Sequence, residues 1–97
     1  MIIGGLKVIL VKPGHEQEFE TLFSELRAIM RQEEPGCLLY SLLKSKTNPR
    51  SYIVHEQYRD QAALAAHETS SHGEIYFPKI RAILENITVE YFDVVVS

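Results

Sequence analysis

Two periodicities of apolar residues run along the chain, and each predicts a type of secondary structure. Residues 2–11 are apolar and β-branched around a single charge, Lys7, and they predict a first strand that Pro13–Gly14 ends. Within this strand, Gly4–Gly5 predicts a bulge or a close approach of another group. Apolar residues then recur at helical spacing between positions 19 and 30, and they predict a helix that ends at Glu34-Pro35-Gly36.

The second half of the chain predicts three more strands and two helices. Residues 37–46 form a strand that is apolar on both faces, and the turn at 47–50 joins it to a third strand that ends at Tyr58. Asp60 then caps an alanine-rich helix, and the Ser71–Glu74 spacing fits a capping box that begins another helix. Pro78 lies too deep for the first turn of that helix and predicts a kink or a restart. Residues 87–96 predict the last strand.

The order of these elements is typical of one α+β fold. Strand, helix, strand, strand, helical region, strand is the ferredoxin-like βαββαβ plan, an antiparallel sheet with helices on one face. Residues 1–97 are too few for a second core, so we expect one domain. Because the second strand is apolar on both faces, we also expect a second copy of the chain to cover the open face of the sheet as a homodimer.

Composition narrows the functional classes. A net charge of −3 and the absence of a basic patch argue against nucleic acid as a partner. Cys37 is the only cysteine, which excludes an internal disulfide and suits a reducing cytoplasm. The apolar start is too short to span a bilayer and has no basic leader, so no membrane partner and a cytoplasmic location are expected.

The histidines are the first candidates for chemistry. On spacing alone, His67 is a surface or helix-end residue, and the functional alternative is a proton shuttle. We interpret His72 as a residue of the first helical turn after Ser71. His55 is interpreted as a buried histidine with its hydrogen bonds satisfied, and His15 as exposed to solvent. His67 and His72 are five residues apart, a spacing that does not match a zinc motif. The sequence also has no phosphate-binding glycine loop and no CxxC motif, so we expect no metal and no cofactor.

Aromatic residues and one acid complete the candidate site. Tyrosine and phenylalanine at these positions are most often core residues. However, Tyr40, Tyr58, Glu56 and His67 could line one cleft between the sheet and the helices, the usual form of a small-molecule site. Cys37 is interpreted as a small core thiol rather than a nucleophile.

The chain resembles the antibiotic biosynthesis monooxygenase (ABM) domain family over nearly its whole length. The resemblance rests on Gly14, on Glu34-Pro35-Gly36-Cys37-x-x-Tyr40, on Glu56-x-Tyr58, and on Leu64-x-x-His67 followed by Ser71–His72. It implies a dimeric α+β barrel, in which two ferredoxin-like sheets pack together. It also implies oxygenation of a small quinol or phenol by dioxygen without metal or flavin.

The resemblance also implies roles for individual residues. His67 would be the base or shuttle, Tyr58 and Tyr40 would supply pocket walls and hydroxyl donors, and Glu56 would orient a partner or act as a second base. The implied catalytic set is therefore His67, Glu56 and Tyr58. The implied substrate-binding set is Tyr40, Ser71, His72 and Phe77.

Departures from the family pattern leave alternatives open. Tyr58 stands where the family most often has tryptophan. Haem-degrading relatives have asparagine, tryptophan and histidine where this chain has Lys7, His67 and Phe77, so we do not expect haem degradation. Another branch isomerises a phosphorylated hydroxyketone signal. It is similar in Tyr52-Ile53-Val54-x-Glu56-x-Tyr58-x-Asp60 and in the segment from Ala65 to His72. For that reaction, Lys7, Arg50 or Lys79 would be the phosphate contact. A non-catalytic dimeric binding module is the third reading.

Overall fold

The computed structural model describes residues 1–97 and has a four-stranded antiparallel sheet with three helices. The elements, in chain order, are β1 (Ile3–Val11), α1 (Glu16–Glu33), β2 (Cys37–Lys44), β3 (Ser51–Tyr58), α2 (Gln61–Glu68), α3 (Ser71–Ala82) and β4 (Leu84–Asp93). The sheet order is β2-β3-β1-β4, so the two strands that begin the βα units lie in the centre. The predicted ferredoxin-like α+β fold is confirmed.

The core lies between α1 and the inner face of the sheet. The helical period predicted between positions 19 and 30 places Phe19, Phe23, Leu26 and Met30 on one buried stripe of α1. Phe23 stacks on Tyr40 of β2, with ring centroids 4.9 Å apart and planes within 4° of parallel. These aromatic contacts hold α1 over β2 and β3 and leave β4 uncovered.

Three predicted features of the elements needed correction. The side chain that caps α3 belongs to Ser70, which accepts from the Gly73 N–H, whereas the sequence predicted Ser71. The helix runs through Pro78 without the predicted restart. Finally, β4 begins at Leu84, which already pairs with Val11 beyond a register shift, and it ends at Asp93, which pairs with Ile3, the first residue of β1.

The second strand is also less regular than its sequence pattern suggested. A register shift between Cys37 and Leu39 leaves Leu38 out of the pairing with β3, and its side chain is half-exposed. The predicted hairpin between β2 and β3 is present, and the Asp60 side chain accepts from the Ala63 N–H as predicted for the cap of α2. None of the three helices is long and apolar enough to cross a membrane.

Candidate active site

A cavity of about 260 Å³ lies between α1, α3 and the inner face of the sheet, at the side where β4 is uncovered. Ten of its fourteen lining residues are hydrophobic, and they include the core rings of Phe19, Phe23 and Tyr40. The other four are Lys7, His67, Glu68 and Arg81. The volume is just below the range of about 300–1,000 Å³ usual for ligand pockets, so it suits a small, mainly apolar molecule.

His67 is the buried polar group on the wall of this cavity. It lies in the last turn of α2 and is only 2% exposed, because the rings of Tyr40, Tyr58 and Phe77 surround it at centroid distances of 5.4, 5.3 and 5.1 Å. Its Nδ1 lies 3.0 Å from Oε1 and 3.1 Å from Oε2 of Glu34. Its Nε2 is buried and has no hydrogen-bond partner in the protein.

This environment favours the neutral imidazole with one defined tautomer. Burial lowers the pKa of His67, and the adjacent Glu34 carboxylate opposes that shift only in part. An ionised carboxylate can only accept hydrogen bonds, so the Nδ1 of His67 carries the proton that it donates to Glu34. Nε2 is then left with its lone pair, and it can take a proton from a molecule in the cavity.

Glu34 also binds a second histidine. Its Oε2 lies 2.5 Å from Nε2 of His72 in the first turn of α3, so one carboxylate joins the end of α1 to both of the following helices. Glu34 and His72 line a separate surface cleft, together with Cys37 and Arg59, and neither lines the cavity. Burial and the charge of Glu34 raise the pKa of the Cys37 thiol to about 11, which makes it a poor nucleophile.

A second buried carboxylate lies on the inner face of the sheet. Glu56 of β3 is fully buried, with its Oε1 accepting from the Tyr58 hydroxyl at 3.3 Å. The Lys7 Nζ lies 3.1 Å from Oε2 of Glu56, in ion-pair contact but outside hydrogen-bond geometry. Lys7 also lies 6.0 Å from the centre of the Tyr40 ring, so it connects the buried acid to the cavity wall.

The structure brings together only part of the predicted site. His67, Tyr40 and Phe77 line the cavity. Glu56 and Tyr58 pack behind this wall and do not line it, and burial raises the pKa of Tyr58 so that its hydroxyl stays protonated. Ser71 is exposed and outside the cavity, and His72 faces Glu34.

Sequence reasoning missed Glu34 as a site residue. It was interpreted as part of the helix-ending segment and of the family motif, without a role in the site, and no local pattern links it to His67, which lies 33 positions away. Lys7 had a better signal, since a lone charge inside an apolar strand requires a partner. Of the three cations considered for a phosphate contact, Lys7 lines the cavity and Arg50 and Lys79 do not.

Comparison with known families identifies the chain. The family model for antibiotic biosynthesis monooxygenases matches residues 5–76, which include most of β1 and both candidate histidines of α2 and α3. The chain belongs to the antibiotic biosynthesis monooxygenase family. It is 34% identical over 67 residues to an uncharacterised protein of Synechocystis, covering 69% of this chain and 43% of that protein. The chain therefore spans less than half the length of this relative.

Solved structures agree with the family. A candidate antibiotic biosynthesis monooxygenase from Caulobacter crescentus superposes with a TM-score of 0.92 at 32% identity, covering 98% of this chain and 91% of the other. A conserved protein from Methanosarcina mazei superposes with a TM-score of 0.87 at 26% identity, covering 95% and 91% of the two chains. Each superposition covers at least 95% of this chain, so the shared fold extends over nearly its whole length.

Proposed function

We propose that this ABM protein oxygenates a small quinol or phenol with dioxygen and without a metal or organic cofactor. The observation that supports this most strongly is that His67 lines an apolar cavity and that its buried Nε2 has no hydrogen-bond partner in the protein. A cavity of this kind binds an aromatic ring, and a neutral imidazole can remove its hydroxyl proton. Family membership supports the same reaction class.

The reaction balances in atoms and electrons with only the substrate, dioxygen and a base. His67 takes the proton of a quinol hydroxyl, and the resulting anion transfers one electron to dioxygen. The superoxide and the substrate radical then combine at a ring carbon. Return of the proton gives a hydroperoxide, which loses water to form a hydroxylated quinone. Lys7 and the Tyr40 hydroxyl would stabilise the anion, and burial raises the pKa of Tyr40 so that it remains a donor.

Oxygen uptake tests this proposal directly. With a panel of benzo- and naphthohydroquinones, we expect uptake above autoxidation that falls about a hundredfold or more in His67→Ala, because a positioned base contributes about 10²–10⁴-fold. His15→Ala is the matched control, since His15 lies at the start of α1, outside both the cavity and the open face of the sheet, and should leave uptake unchanged. Uptake equal to the blank throughout the panel, or uptake insensitive to His67, would contradict the proposal.

A second candidate function is isomerisation of a small phosphorylated hydroxyketone. The observation in its favour is that two cations, Lys7 and Arg81, line the cavity, where they would hold a phosphate. The reaction needs the same base but no oxygen. Turnover of such a ketone under anaerobic conditions, lost in His67→Ala, would favour this function, and a non-catalytic binding module would show neither reaction.

We also propose that the protein is a homodimer formed through the open face of the sheet. The pairing registers put Leu6, Val8, Leu43, Ile53 and Phe92 on that face. Each of these side chains is at least 37% exposed in the single chain. Exposed apolar side chains clustered on one sheet face are typical of a protein interface, and a second copy of the chain offers an equally apolar face.

Light scattering tests the dimer. We expect a mass of twice 11.1 kDa at micromolar concentration, and Val8→Glu at the centre of the face should shift the protein to a monomer. Glu33→Lys, on the exposed side of α1, is the control for a change of charge elsewhere. A monomeric wild-type protein would contradict this proposal without affecting the one for His67.

A further inference from the structure

We propose that Glu34 and His72 are positioning residues for His67, and that together they fix which nitrogen of His67 faces the cavity as a base. This rests on the proposed role of His67 in the reaction. The three side chains form one buried chain, with the Glu34 carboxylate between two imidazoles at 3.0 Å from His67 and 2.5 Å from His72. Neither Glu34 nor His72 touches the cavity, so each acts only through His67.

The hydrogen-bonded row of Glu34, His67 and His72 contains a charged group that a purely structural link would not require. Glu34 is 5% exposed in its side chain, and its carboxylate receives hydrogen bonds only from the two histidines. Arg59 lines the same cleft but forms its ion pair with Asp60, not with Glu34. A buried carboxylate with such partners carries a large desolvation cost, and a neutral amide or hydroxyl could join the same helices at lower cost. An ionised carboxylate adds a property that an amide lacks, because it accepts on both oxygens and so requires a proton on the nitrogen that faces it.

The hydrogen bonds of Glu34 to His67 and to His72 have distinct consequences. The Glu34 carboxylate keeps the proton of His67 on Nδ1 and therefore keeps the lone pair on Nε2. It also favours the imidazolium that forms when Nε2 accepts a proton, and this attraction partly offsets the effect of burial on the pKa of His67. His72 donates to Oε2 of Glu34 and prevents the carboxylate from rotating away. Its Nδ1 has no partner in the protein and is reached by solvent.

Other charged groups also act on His67, and any test must separate them from Glu34. Lys7 of β1 disfavours its protonation and Glu56 of β3 favours it, whereas Tyr40 of β2 and Tyr58 of β3 present neutral rings. The matched control for Glu34 is its neighbour Glu33, which has the same charge one residue earlier but is exposed to solvent. Glu33→Gln removes the same charge without touching either histidine.

The test is nitrogen NMR of the histidine-labelled protein, which reports the tautomer and the pKa of His67 without any substrate. In wild type and in Glu33→Gln, we expect the Nδ1–H tautomer to predominate. In Glu34→Gln, we expect a lower pKa of His67 and a mixture of tautomers, because an amide can present either its oxygen or its NH₂ to Nδ1. His72→Gln retains a donor to Glu34 and should keep the wild-type tautomer, whereas His72→Leu should lose it in part.

Kinetics provide the second readout. With a quinol that wild type oxygenates, Glu34→Gln should lower kcat by about ten- to a hundredfold with little change in KM, by analogy with the carboxylates that orient metal-binding histidines. The proposal is overturned if Glu34→Gln keeps the wild-type tautomer and pKa of His67, or if Glu33→Gln shifts them equally. If wild type oxygenates no quinol, the proposed function fails, and the NMR result still decides whether Glu34 and His72 position His67.

Discussion

Replacing Lys7 with methionine tests whether the buried Glu56 carboxylate depends on its ion pair. Methionine keeps most of the apolar stem of lysine and removes only the charge. The Nζ lies 3.1 Å from Oε2 of Glu56, and two unit charges at this distance attract by about 5 kcal/mol at an effective dielectric constant of about 20. After Lys7→Met, the fully buried carboxylate keeps one hydrogen bond, from the Tyr58 hydroxyl.

The net loss of stability should be smaller than this attraction. Breaking a fully buried pair typically costs about 3–5 kcal/mol, because one charge remains uncompensated. The Lys7 side chain is 19% exposed, so water already weakens the pair, and we expect the free energy of unfolding to fall by about 2–4 kcal/mol. Adding Glu56→Gln removes the unpaired charge, so the double variant should be more stable than Lys7→Met alone.

Urea unfolding at neutral pH, followed by circular dichroism, measures both effects. All variants are compared at one protein concentration, because association stabilises the folded state by mass action. A loss of less than about 0.5 kcal/mol in Lys7→Met, the usual effect of a surface substitution, would refute the argument. Such a small loss would mean that the Glu56 carboxyl group is neutral in the folded protein or is hydrogen-bonded to water.

Two further predictions concern the cavity wall. A methyl group at Gly73 would lie 2.8 Å from the Ser70 Oγ and would overlap the Phe77 ring. Gly73→Ala should therefore lower the free energy of unfolding in urea by about 1–3 kcal/mol and weaken the binding of an aromatic probe. Unchanged values of both would contradict this prediction. Because burial lowers the pKa of His67, below about pH 6.5 the unfolded chain binds a proton that the folded protein excludes. The free energy of unfolding should therefore fall between about pH 7 and pH 5, less steeply in His67→Gln, and equal slopes in thermal melts would argue against it.

The elements could be predicted because their signals are local. The apolar stripe of α1 and the Asp60 cap each depend on residues within a few positions, and both are present in the structure. The errors fall where two local choices are equally good. Ser70 and Ser71 both satisfy the preference for a hydroxyl at the cap, and Leu84 continues the apolar stripe of α3 as well as it pairs with Val11.

The site could be predicted only in part, because it depends on distant packing. A histidine at the end of a short helix is usually solvated, and the sequence favoured that interpretation for His67. Its burial arises from three rings contributed by β2, β3 and α3, and its hydrogen bond comes from the end of α1. No period or spacing within α2 contains this information, so Glu34 was identified only from the structure.

The glycine pair in β1 explains how a buried acid can lie beside the cavity at all. A Cβ on Gly5 would lie 2.8 Å from Cγ of Glu56 and 3.1 Å from the Tyr91 ring, so the missing side chain leaves the space that both residues occupy. Gly5 pairs with Glu56 on one side and with Tyr91 on the other. Glu56 can therefore lie across β1 and reach Lys7, two residues further along the same strand. The close approach predicted from Gly4–Gly5 thus allows Glu56 to pair with Lys7 on the cavity wall. A larger residue at position 5 would displace the Glu56 carboxylate from Lys7 before it altered the fold.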